Sequence, residues 1–273
     1  MSEEVTRGEF GQRAPAASRG AGRGPSLGSR AIRWAAALAS CCLASLPVAS
    51  ARAEVNTSVH PSFLPNALGA RTAFTFAFRL GAGEEGVPPA VRRIVMHLPA
   101  GLGIDLRGVR TCPGARLLRM GPRGCPAGSL IGHGHAVLAV HAGSQAIPEQ
   151  AVISAFRGPD RGGRPVIEVL GRGDTPLQEQ TLSTGVLSAD RAPYGLRLTV
   201  SVPSIPTVTY EPDASIVSFS LTVGAVGRRP RAHAASGAVT VPRRCPAGGF
   251  RFAADFDFYD TTTASAAARI PCP

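Results

Sequence analysis

FRFAADFDFY, residues 250–259, already shows how this chain folds. Phe250, Phe252, Phe256 and Phe258 fall on one side of a two-residue repeat, and Arg251, Asp255, Asp257 and Tyr259 on the other. Side chains of an extended backbone alternate between its two faces, so this stretch packs one face on a core and offers the other to water.

The same alternation recurs upstream. In 72–80, Phe74, Phe76 and Phe78 oppose Ala73, Thr75, Ala77 and Arg79. In 92–98, Ile94, Met96 and Leu98 share a face, and in 194–202 Leu196, Leu198, Val200 and Val202 oppose Arg197, Thr199 and Ser201. Residues 215–223 are expected to turn Val217, Phe219, Leu221 and Val223 inward. Further strands are expected at 134–142, 151–156, 165–170 and 182–187. No segment beyond residue 53 keeps a helical stripe for a dozen residues, and Gly or Pro punctuates the chain throughout. The prediction is an all-β fold: an antiparallel β-sandwich, Ig-like or jelly-roll-like, over 54–273. It is one domain or two packed sub-domains divided near 185–192.

Composition narrows the alternatives. Of 273 residues, 44% are hydrophobic and only 17% charged, which argues against long disorder outside the termini. The 32 Gly lack a three-residue period, which excludes collagen. Only one stretch, near the N-terminus, is long and apolar enough to insert into a membrane, which excludes a polytopic helical protein.

That stretch reads as an export signal. Residues 1–29 are rich in Gly, Arg, Ser and Ala without hydrophobic period and are expected to be a disordered leader; a translation start downstream of Met1 would remove it. In 30–53, Arg30 and Arg33 precede an apolar run at 34–48, and Ala51-Arg52-Ala53 supplies a cleavage site. Two variants keep a membrane contact. Leu38-Ala39-Ser40-Cys41 resembles a lipobox that would lipidate Cys41, and an uncleaved run would act as an anchor. The expected location is extracytoplasmic, at the cell envelope, with membrane contact only through such an uncleaved or lipidated N-terminus.

Beyond the signal remain Cys112, Cys125, Cys245 and Cys272, each followed by Pro. An even count in an exported chain reads as disulfides, and sequence proximity favours Cys112–Cys125 and Cys245–Cys272. Zinc would need C-x-x-C or C-x-x-H spacing, which these cysteines lack.

The net charge is +11, and every one of the 29 basic residues is Arg. Aromatics are only 5% and sit in strand alternation, so the basic stripe with stacking rings that nucleic-acid binders use is missing, and no nucleic-acid partner is expected. Arg228, Arg229, Arg231, Arg243 and Arg244 cluster around an expected loop and are candidate contacts for an anionic envelope polymer.

Residues 72–102 resemble the first hairpin of bacterial Ig-like surface repeats, closing on Leu98-Pro99-Ala100-Gly101-Leu102. A wider set of motifs is similar to a group of uncharacterised exported β-rich proteins of high-GC bacteria. It comprises that Leu-Pro-Ala-Gly-Leu, Cys112, the C-P-x-x-S-x-I-G-x-G-x-A run at 125–136, Pro193-Tyr194-Gly195, Cys245-Pro246 and Cys272-Pro273. The likeness spans most of 54–273 and implies compartment and fold, with a spacer or adhesive role for the Ig-like part, but no activity.

Candidates for chemistry are few. His133, His135 and His141 share one face of an expected strand, and His at i and i+2 can chelate a metal. Without an acid at a suitable distance they are expected to decorate a wet strand face, with no cofactor. Asp255, Asp257 and Asp260 near Thr261 to Thr263 form an oxygen-rich group that could hold Ca²⁺, although alternation already explains the first two. No G-x-S-x-G elbow is present, and Gly128-Ser129-Leu130-Ile131-Gly132 misses its spacing. Arg172-Gly173-Asp174 is read as coincidence in a chain rich in Arg and Gly. The function expected is a disulfide-stapled structural or binding module of the envelope, without catalysis, whose partner is an anionic polymer, a carbohydrate or a protein. The alternative is a secreted hydrolase or carbohydrate-active protein on a jelly-roll scaffold, which would need two acids or the three His in one concave site.

Overall fold

The computed structural model describes residues 55–81, 87–143, 145–207, 210–224 and 238–273. The expected leader, the signal, Cys41 and Arg228, Arg229 and Arg231 all lie outside them. Residues Ser50–Pro273 form one compact unit.

The described residues hold thirteen strands and one short helix. The strands are β1 (Thr57–Leu64), β2 (Arg71–Leu80), β3 (Val91–Pro99), β4 (Gly103–Asp105), β5 (Leu130–Ala142), β6 (Gln145–Arg161) and β7 (Arg164–Gly173). They continue with β8 (Gln180–Ala189), β9 (Tyr194–Ser201), β10 (Ser215–Val223), β11 (Ala238–Thr240), β12 (Phe250–Phe258) and β13 (Thr263–Ile270). The helix, α1, spans Gly114–Met120. All pairings are antiparallel, and the fold is all-β and sandwich-like, as the alternation predicts. Residues 185–192 cover the end of β8 and the turn to β9, and these two strands are direct neighbours in the sheet.

The hydrogen-bonded path runs β13-β12-β3-β9-β8-β7-β6-β5-β10-β2, with β1 on the free edge of β2 and β11-β4 continuing from the start of β2. The path curls until its ends meet. No backbone ladder joins β1 to β13, yet Thr57 Oγ1 donates to the Ser265 carbonyl at 2.8 Å and Asn66 Nδ2 to the Pro271 carbonyl at 3.0 Å. Pro61 lacks the N–H that a strand paired on both sides would need, and β1 carries a ladder on one side only.

Inside this curl, β2 and β12 face each other. Phe74 stacks on Phe252 with ring centroids 5.6 Å apart, and Phe78 meets Phe256 edge-on at 5.1 Å. Phe250, Phe252, Phe256 and Phe258 are all fully buried. On β10 the expected inward face needs a correction. The register slips by one residue between Ile216 and Ser218, so Ile216 rather than Val217 joins the core.

Both expected disulfides are present, Cys112–Cys125 and Cys245–Cys272, with Cα atoms 5.4 and 6.0 Å apart. The first clamps the segment that holds α1. Pro113 precedes this helix, and Gly121, at φ +63°, ends it just before Pro122. Leu117 buries itself against Phe156 and Leu170, so the clamped segment is a flap on the outer face of β6 to β8. Under it, buried Glu168 accepts a hydrogen bond from Thr184 Oγ1 at 2.8 Å.

Candidate functional site

Several sequence candidates are set apart by the sheet. His133, His135 and His141 do share the outer face of β5, but residues 133 and 141 are about 26 Å apart along an extended strand. Among the described residues no group of three His, Cys, Asp or Glu side chains comes together to hold a metal. Asp257 pairs with Arg93 at 2.5 Å across β12 and β3, Asp255 contacts His97, and Asp260 accepts from Thr262 in a turn. Arg243 and Arg244 are exposed in the loop before Cys245. A shallow groove elsewhere brings together Arg92, Arg93 and Arg161, which the sequence does not place near one another.

His97 forms a cluster that sequence reasoning missed. Its Nδ1 lies 2.6 Å from Asp190 Oδ2 and its Nε2 3.0 Å from Asp255 Oδ2, with the Tyr194 ring centroid 5.1 Å away. Burial depresses the His97 pKa, but the two carboxylates outweigh it and hold the imidazole above its usual 6.5. Asp190 is raised by its own burial, yet His97 and the Arg191 N–H lower it on balance. Among the described residues no hydroxyl or thiol joins the hydrogen-bonded group, which ties β3, β12 and the turn before β9 together.

The feature with most chemistry lies inside. An apolar cavity of about 100 Å³ sits in the core, walled by Phe76, Phe78, Leu198 and Phe219 among others. A second lobe of about 70 Å³ adjoins it and shares Val169, Ser183, Val202, Ile216 and Phe219 with it. This lobe runs to the rim where β5 and β7 end and β6 and β8 begin, capped by Leu177 and Ile205.

Glu149 lines the lobe. It lies on the inward parity of β6 with Ala151 and Ile153, and is only 2% exposed. Among the described residues its Oε1 has no hydrogen-bond partner. Burial pushes the carboxyl above the usual carboxylate range, while the backbone N–H groups of Asp174 and Leu177 pull the other way. Room for it comes from Gly173, where an added Cβ would collide with Glu149 Oε1. Glu179, exposed at the mouth, is the other charged residue lining the lobe among the described residues. The sequence signal for Glu149 is an acid at an apolar position: Ile147, Ala151, Ile153 and Ala155 hold the same parity. His97 had no comparable signal, because Asp190 is 93 residues away.

The chain was compared with protein-family models, curated proteins and solved structures, and it matches none of them.

Proposed function

We propose that this protein is an exported binding module of the cell envelope, stapled by its two disulfides, that holds a small apolar ligand within its core. The observation that carries this reading is the interior void. Cores normally pack without holes larger than a water, and a dry apolar void of roughly 150 Å³ is enough to take up benzene. Here two adjoining lobes of about 100 and 70 Å³ lie inside an all-β shell. The two disulfides suit an oxidising, extracytoplasmic compartment. The kinship with exported β-rich proteins of high-GC bacteria, the Ig-like or jelly-roll assignment and removal of the signal after Ala53 belong to the same proposal. So does an anionic envelope polymer as partner, supported by the exposed Arg92 and Arg161 and by Arg243 and Arg244.

Calorimetric titration of the full chain with toluene tests the reading. Toluene is expected to bind and raise the thermal midpoint, and Ser183→Leu, which fills the junction of the lobes, is expected to abolish both effects. No binding to the unaltered chain would overturn the proposal. The hydrolase alternative gains little: Glu149 and Glu179 share a wall, but a lobe of about 70 Å³ does not admit a sugar ring.

A further inference from the structure

The geometry points to a primary amine as the ligand's head group: an ammonium paired with the Glu149 carboxyl in the rim-side lobe, with a compact apolar body spanning the two lobes. This rests on the reading of the interior as a ligand site and names the chemistry that site would select.

Three observations converge on it. The first is the carboxyl itself. A buried acceptor without a donor costs free energy, and more so when it is charged, so a side chain in this state is matched to something that donates. Glu149 is only 2% exposed, its Oε1 has no partner among the described residues, and the side chain lines a cavity of about 70 Å³.

The second is the sign of the surroundings. Residues 54–273 carry 22 Arg against 15 acidic residues, yet among the described residues the charged side chains lining the lobe are Glu149 and Glu179, with no Arg. Asp174 adds a third carboxylate beside Glu149. Among the described residues this wall is thus acidic in a basic protein, and its field favours a cationic ligand over an anionic one. A fatty acid or a sugar acid would meet like charge.

The third is the division of labour between the lobes. The larger cavity is walled by Phe76, Phe78, Leu198 and Phe219 and by aliphatic side chains, and it offers almost nothing to a polar group. A ligand fitting both lobes therefore has one polar end and one apolar body. Two lobes of about 100 and 70 Å³ together suit a single ring bearing a short amine, since a void of roughly 150 Å³ takes up benzene. Gly173 belongs to the same arrangement, because any side chain there would displace the carboxyl from its place.

The test titrates the full chain and its Glu149→Gln variant with benzylamine, toluene and benzoate. In the unaltered protein, benzylamine is expected to bind at least tenfold tighter than benzoate. Glu149→Gln is expected to weaken benzylamine at least tenfold while toluene stays within twofold, which shows that the cavity is intact. Toluene binding with benzylamine no tighter than benzoate would overturn the amine assignment and leave the cavity reading standing. Benzylamine binding equally to both proteins would overturn it as well. Failure of all three probes on the unaltered chain would remove the cavity reading, and this inference with it.

Discussion

His97 shows how one side chain can make stability depend on pH. Its pKa is held above the usual 6.5, so its contribution is fully present below pH 6.5 and is lost as pH rises through the raised value. Asp190 is held below its usual 3.8, so its contribution is present above pH 3.8 and fades as pH falls through the lowered value. The cluster therefore stabilises most between about pH 4 and pH 6.5. Urea denaturation is expected to show the unaltered protein losing stability from pH 6 to pH 8 relative to His97→Gln, and a flat difference would sink the assignment. Gly173 makes the complementary case, where what matters is a missing side chain. Gly173→Ala would drive a methyl group into Glu149 Oε1 and close to the Leu177 carbonyl. The expected loss is about 1–3 kcal/mol, the usual cost of overpacking, read as a lower urea midpoint.

Among the elements, the clamped flap departs furthest from what the sequence suggests. Alternating apolar residues made β2, β3, β9 and β12 legible because the apolar parity of each is the more buried one. α1 is too short to show a stripe: it has seven residues and one buried anchor, Leu117. β7 is buried on both faces, the core on one and the flap on the other, so Val166, Ile167, Glu168 and Leu170 are all buried and alternation disappears. β13 hides its pattern in Ala-rich sequence, and β4 and β11 have only three residues each. The inner site was least legible, since a cavity is made by residues distant in sequence; only the acid among apolar neighbours at Glu149 left a trace. Two variants probe the flap by urea denaturation. Leu117→Ala is expected to cost about 2–4 kcal/mol as a buried leucine leaving a void. Cys112→Ser with Cys125→Ser is expected to cost about 3 kcal/mol by freeing a short loop in the unfolded chain. Losses well under 1 kcal/mol in both would mean that the flap does not hold the outer face of β6 to β8.

At the level of the whole molecule, the sheet is assembled from pairings that join early and late sequence. β2 needs β10, β3 needs β9 and β12, and β1 lies against β13. Loop closure must precede such contacts, so folding is expected to be slow, on the order of milliseconds to seconds, when followed by stopped-flow fluorescence of the full chain. Deleting residues 263–273 would bare the β12 edge and remove Cys272, and the truncated chain is expected to aggregate on size-exclusion chromatography. A monodisperse, folded truncation would contradict this account of the seam. The seam also orients the domain. Thr57 sits beside Ser265 and Asn66 beside Pro271, so β1 and β13 run side by side in the same direction. Residue 57 thus lies on the rim where β6 begins and where the lobe holding Glu149 approaches the surface, and residue 270 lies on the opposite rim. A tether attached ahead of β1 would hold the cavity's doorway toward whatever it is fastened to, while a fusion after β13 would project from the far pole and leave that doorway clear.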